Sequence, residues 1–165
     1  MPQTYTPIAT TTLGTAANEV IFSSIPSTYT DLVFVAVATP STSAYMGYGQ
    51  FNGDNGNNYS ETLLYGTGSV AGTNRESNRP NCYFGNWTTA NSTTSPTTYI
   101  INIMNYSNTT TNKTILGRSA DAGTETNATV NLWRNTAAIT SFRFALNTGN
   151  FIAGSTFTLY GIKAA

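Results

Sequence analysis

The chain has 165 residues, of which only 8% are charged, and its seven Lys and Arg balance seven Asp and Glu. Globular domains average about 25% charge, and here Thr, Asn and Ser fill the deficit. This composition excludes an electrostatic partner: there is no cationic surface to neutralise phosphates, so neither nucleic acid nor a membrane surface is expected. The 12% of aromatic residues argues against disorder, since disordered chains lack the apolar groups that offset ordering entropy. No apolar run approaches the roughly 20 residues that span a bilayer.

The first residues, Met1-Pro2-Gln3-Thr4-Tyr5-Thr6-Pro7, have no basic or apolar leader pattern, so synthesis in the cytoplasm is expected. Thr-rich residues 1–19 contain strand-compatible residues without a partner nearby in sequence. They read as an N-terminal arm docking on neighbours, or as a tail, ahead of a single domain over residues 20–165. Val20 to Phe22 is the first clear strand signal. Asp31 to Ala38 (DLVFVAVA) follows, continuous enough to be a central strand buried on both sides. Tyr45 to Phe51 leads into Asn52-Gly53-Asp54-Asn55-Gly56-Asn57-Asn58, rich in residues that tolerate positive φ. Together with a returning strand at Tyr59 to Tyr65 this predicts a hairpin. Gly66 to Pro80 reads as a looser stretch.

Further strand signals fall at Asn81 to Thr88, Thr97 to Tyr106, Lys113 to Ser119, Ala128 to Arg134, Ile139 to Leu146 and Thr156 to Ile162. No window shows a helical apolar period, and β-branched Thr is everywhere. About nine or ten short strands without a composition shift predict an all-β fold. The expected architecture is a two-sheet antiparallel β-sandwich of the jelly-roll kind.

The chain contains no histidine. That removes the commonest general base and metal ligand, together with every Ser-His or Cys-His arrangement. The only lysines, Lys113 and Lys163, lie beside no nucleophile motif. Among the carboxylates, Asp54 and Glu61 would approach across the predicted hairpin, as a glycosidase pair must. A turn aspartate and a surface glutamate are the plainer reading. Residues 54–58 invite a calcium reading, but no acidic residue closes a twelve-residue loop. Cys82, the one cysteine, sits in an apolar strand signal and reads as a buried, inert thiol. No catalytic, cofactor or metal site is therefore expected. Aromatic side chains rimmed by Asn and Thr are the candidates for contact with a partner. Trp133 reads as core, whereas Trp87, Tyr45 and Tyr48 are candidate surface contacts.

The two ends of the chain carry a family likeness. Thr4 to Gly14 (TYTPIATTTLG), Ile21 to Pro26, Tyr29 to Val33, Phe51 to Asp54, Trp133 to Ser141 and Phe151 to Ile162 resemble a jelly-roll domain of tailed-phage virion proteins, aquatic phages especially. The resemblance implies a structural role in the virion, with no catalytic motif to transfer. It implies capsid or tail subunits as partners and a homo-oligomer, with a trimer favoured. About 19 residues precede the first clear strand, which suits a capsid decoration protein or small appendage. A tail-fibre or receptor-binding module that recognises host surface glycans is the alternative.

Overall fold

A computed structural model of the chain describes residues 4–44, 47–86 and 91–163. Among them there is no helix, and twelve strands form two antiparallel sheets. The strands are β1 (Tyr5–Thr12), β2 (Glu19–Phe22), β3 (Asp31–Ala38), β4 (Gly47–Phe51), β5 (Tyr59–Gly66) and β6 (Ala71–Arg79). They continue with β7 (Cys82–Tyr83), β8 (Thr97–Ile103), β9 (Lys113–Asp121), β10 (Glu125–Trp133), β11 (Phe142–Leu146) and β12 (Thr156–Ile162). The large sheet has the order β1-β12-β3-β8-β9-β10-β5-β6, and the small one β2-β11-β4-β7. β2 to β5 alternate between the sheets, β5 and β6 form a hairpin within the large one, and β7, the β8–β10 run, β11 and β12 alternate again. The meander β8–β10 fills one strand's place, and β1 and β12 extend an edge.

The core is aromatic and lies between β3, β12 and β8 of the large sheet and β2, β11 and β4 of the small one. Phe34 of β3 meets Phe142 and Phe144 of β11 at ring-centroid distances of 5.2 and 4.9 Å. The glycines of β4 make this possible. A Cβ on Gly47 would stand 2.4 Å from the Phe144 ring, and one on Gly49 would stand 2.6 Å from the Phe142 ring. β4 therefore presents bare backbone where β11 presents rings, which explains the pattern GYGQF.

Four sequence expectations are corrected. The segment read as an arm over residues 1–19 is largely part of this chain's own sheet. β1 pairs with β12, Tyr5 opposite Ile162 and Thr12 opposite Thr156, because its partner lies at the far end of the sequence. The hairpin across residues 52–58 does not form. β4 and β5 belong to different sheets, and the turn carries the chain from one to the other. Residues 66–80 are not loose: β6 is a strand at the edge of the large sheet, paired with β5. Its polar, charged residues suit an edge that must not recruit another strand. Lastly, β3 is buried along one side and only in part along the other. Leu32, Phe34, Ala36 and Ala38 are buried on the first side, whereas on the second Val33 is buried, Val35 half-buried and Val37 exposed.

Candidate interaction surfaces

Trp133 closes the core at the end of β10, fully buried as expected. Its indole N–H donates to Asp54 Oδ2 at 2.7 Å. The same carboxylate accepts from Asn58 Nδ2 at 3.0 Å and from the Gly56 amide at 2.9 Å. Burial would raise the Asp54 pKa, yet these donors outweigh it and hold the carboxyl below its ordinary value. Asp54 is thus an anion caged by N–H donors, the reverse of the oxygen-rich surround a calcium ion requires. Glu61 points the other way, into the interior from β5. It is 3% exposed, and neither carboxyl oxygen has a hydrogen-bond partner. The structure does not set Asp54 and Glu61 across a hairpin as an acid–base pair.

The inner faces of β9 and β10 are polar, which the sequence did not announce. β10 turns Glu125, Asn127, Thr129 and Asn131 inward and leaves Thr126, Ala128 and Val130 exposed. The inner polar groups have work to do. Asn131 accepts from the Tyr83 amide at 3.2 Å and donates to the Tyr83 carbonyl at 3.0 Å. Ser119 donates to the Phe84 carbonyl at 2.7 Å, and Glu125 accepts from the Asn86 amide at 3.4 Å. β7 has only two residues, so its own ladder is short. Side chains of the opposite sheet hold it and the segment after it by their backbone groups.

The consequence is an apolar outer face on the large sheet. Leu64, Val130 and Leu116 are 58%, 50% and 42% exposed. Leu116 stands opposite Val130, and Leu64 stands opposite Ala128. An open basin of about 500 Å³ lies beside them, lined by Ala120, Ala128, Thr98, Thr126, Ile100 and Arg118 among others. A second hollow, of about 490 Å³, lies between Ser60, Arg75, Leu132 and Arg134. Alternating ridges and hollows thus cover a sheet face that no other layer of the described residues covers.

The outer face of the small sheet differs. There Tyr48, the sequence candidate, is half-buried, with its ring 6.0 Å from that of Tyr83. The Arg143 guanidinium lies 5.3 Å from the Tyr48 ring centroid. It also donates to the Tyr48 hydroxyl at 3.1 Å, to Gln50 at 3.0 Å and to Glu19 at 2.6 Å. Arg79 covers the Tyr83 ring at 4.9 Å. This is a fixed aromatic and polar patch. Sequence reading found Tyr48 but not Arg143, Gln50 or Tyr83, which join it only across strands. Tyr45 and Trp87 lie outside the described residues.

No family model matches the chain, and no curated protein matches it. Among solved structures, exo-inulinase from Aspergillus awamori matches 96% of this chain at 10% identity and a TM-score of 0.38. The match spans 29% of that protein's length. A likeness at that score assigns neither family nor activity.

Proposed function

We propose that this chain is a non-enzymatic structural protein of a tailed-phage virion, a capsid decoration protein or small surface appendage. It is made in the host cytoplasm and seated as a homo-oligomer, a trimer by family resemblance, on other virion subunits. The observation that carries the reading is the uncovered apolar face of the large sheet on a chain of zero net charge. Such a surface suits a subunit whose working state is an assembly. The phage context rests on the sequence resemblance. The absence of histidine, the sequestered Asp54 and the buried Glu61 support a role without catalysis.

The test is co-sedimentation of purified protein with capsids stripped of it and, separately, with host cells. Binding to capsids and not to cells is expected. Binding to neither would refute the reading. Degradation of bacterial surface polysaccharide that is lost in Glu61→Gln or Asp54→Asn would refute the non-enzymatic part.

One observation favours a second reading, a tail-fibre or receptor-binding module for host glycans. Half-buried Tyr48 stands beside the fixed hydrogen-bonding groups of Arg143 and Gln50, a pairing of aromatic ring and polar groups that sugar rings use. That reading expects binding to cells that falls in Tyr48→Ala and Trp87→Ala.

A further inference from the structure

We propose that the outer face of the eight-stranded sheet is the surface through which copies of this chain associate, each covering the face of another. Two faces that cover each other make a two-fold pair, so the proposal deepens the homo-oligomer of the reading above but not its trimer, and it rests on that part alone, not on the virion.

The argument begins with an inverted pattern. A strand on a sandwich normally turns its apolar residues inward and its polar residues outward. On β10 the inward positions are Glu125, Asn127, Thr129 and Asn131, and the outward ones include Ala128, Val130 and Leu132. β9 follows in part: Lys113, Ser119 and Asp121 are buried and Leu116 and Ala120 exposed, while Ile115 is buried in the core and Arg118 is exposed. The inward polar groups are explained by their bonds to residues 83–86. Nothing within the described chain explains the outward apolar ones. Exposing them to water costs free energy that a covering partner would recover.

Three features select a second copy as the partner. The first is area. Strands about 4.8 Å apart and residues about 3.3 Å apart give this eight-stranded face a footprint of about 900 Å². A standard stable interface buries about 800 Å² per partner, so one face suffices. The second is relief. The ridge of Leu116, Val130 and Leu64 lies between two hollows of about 500 and 490 Å³. A surface carrying both a ridge and hollows can fill its own copy, as a shared interface requires. The third is charge. Charge on the face is confined to three arginines, Arg118 on β9 and Arg75 and Arg134 at the second hollow, with Arg75 on the edge strand β6. Long and exposed, Arg118 can lay its stem on the basin wall and keep its guanidinium at the rim. The whole chain is neutral, so copies do not repel one another.

Sedimentation velocity across the micromolar range tests this, with circular dichroism reporting the fold. Val130→Glu and Leu116→Lys place a charge at exposed positions on the ridge. Each is expected to remain folded and to raise the self-dissociation constant on the order of a hundredfold. Ile21→Lys, equally exposed but on the small sheet, is expected to change nothing. Carbene footprinting of the unaltered protein gives a measure independent of variants: Leu116 and Val130 should be protected in the oligomer and labelled on dilution. An oligomer that survives both ridge variants, or whose ridge stays labelled, would overturn this interface and leave the homo-oligomer standing. A monomer throughout that still docks on capsids would overturn the second copy and leave the virion reading standing. A monomer that also binds no capsid would end both.

Discussion

Glu61 offers the sharpest test of the interior. Its carboxyl is buried without a hydrogen-bond partner. Burial raises its pKa from 4.5 to about 8, against the opposing pull of Arg79 and with help from Glu76. In the unfolded chain it ionises near 4.5, so between about 4.5 and 8 the folded state holds a proton that the unfolded state has lost. Stability contributed by this group is therefore complete below about pH 4.5 and declines as pH rises, by about 1.4 kcal/mol per pH unit. The whole shift amounts to about 5 kcal/mol, which is large against a typical net stability of about 5–15 kcal/mol. Glu61→Gln keeps the shape and removes the titration. Urea unfolding of both proteins should give similar stabilities at pH 5 and a growing advantage for the variant up to pH 9. Subtracting the two curves removes every other titrating group. Parallel curves would refute the reasoning, because they would mean that water or a partner already solvates the carboxylate.

Three further outcomes follow from the packing. Trp133→Phe should cost about 3–5 kcal/mol at pH 7, from lost volume and a lost bond to a charged acceptor. Asp54 has a depressed pKa, so its contribution is present above the ordinary carboxyl range and lost as pH falls through the folded value. The cost of Trp133→Phe should therefore shrink in acid, which urea titration will read. Asn52, at φ 54°, accepts from the Thr140 and Ser141 amides at 2.8 and 3.1 Å and donates to the Ala138 carbonyl at 2.8 Å; Asn52→Ala should lower stability by about 2–3 kcal/mol. A Cβ on Gly161 would stand 2.3 Å from the Tyr29 ring. Gly161→Ala should cost about 1–3 kcal/mol by overpacking, and little beyond the single change when made in Tyr29→Ala, as a double-mutant cycle will show.

The sequence was most legible where one strand's own alternation decides the structure. β3 and β12 were read to the residue, and β2 to within one. The burial of Trp133 and Cys82 was also readable, because each sits in a strong strand signal. What escaped depends on partners remote in sequence. β1 has weak strand chemistry and becomes a strand by pairing with residues 150 positions away. β6, AGTNRESNR, has no apolar residue larger than Ala and is held by β5. The turn after Phe51 has hairpin residues, yet nothing local says whether the next strand pairs back or crosses to the other sheet. The outer face of β9 and β10 was hidden for a different reason. Alternation tells that a strand has two faces, but only the opposite layer decides which face is inside, and here it selects the polar one.

The pairing of Tyr5 with Ile162 also has a consequence for how the protein is made. β12 lies between β1 and β3, so the second strand slot of the large sheet stays empty until β12, the last of the twelve strands, has been synthesised. β1 cannot dock before then, and the small sheet similarly waits for β11 to enter between β2 and β4. Folding of this sandwich is therefore dominated by long-range closures, the class of topology that folds in milliseconds to seconds. Throughout elongation the DLVFVAVA strand of β3 has an open edge, which makes chaperone capture of the nascent chain at that segment a matter of chain order and not of native stability. Because Tyr5 and Ile162 are paired, a short linker from Lys163 to Thr4, with the chain opened in the β5–β6 turn, would bring β12 out early and let the large sheet close sooner.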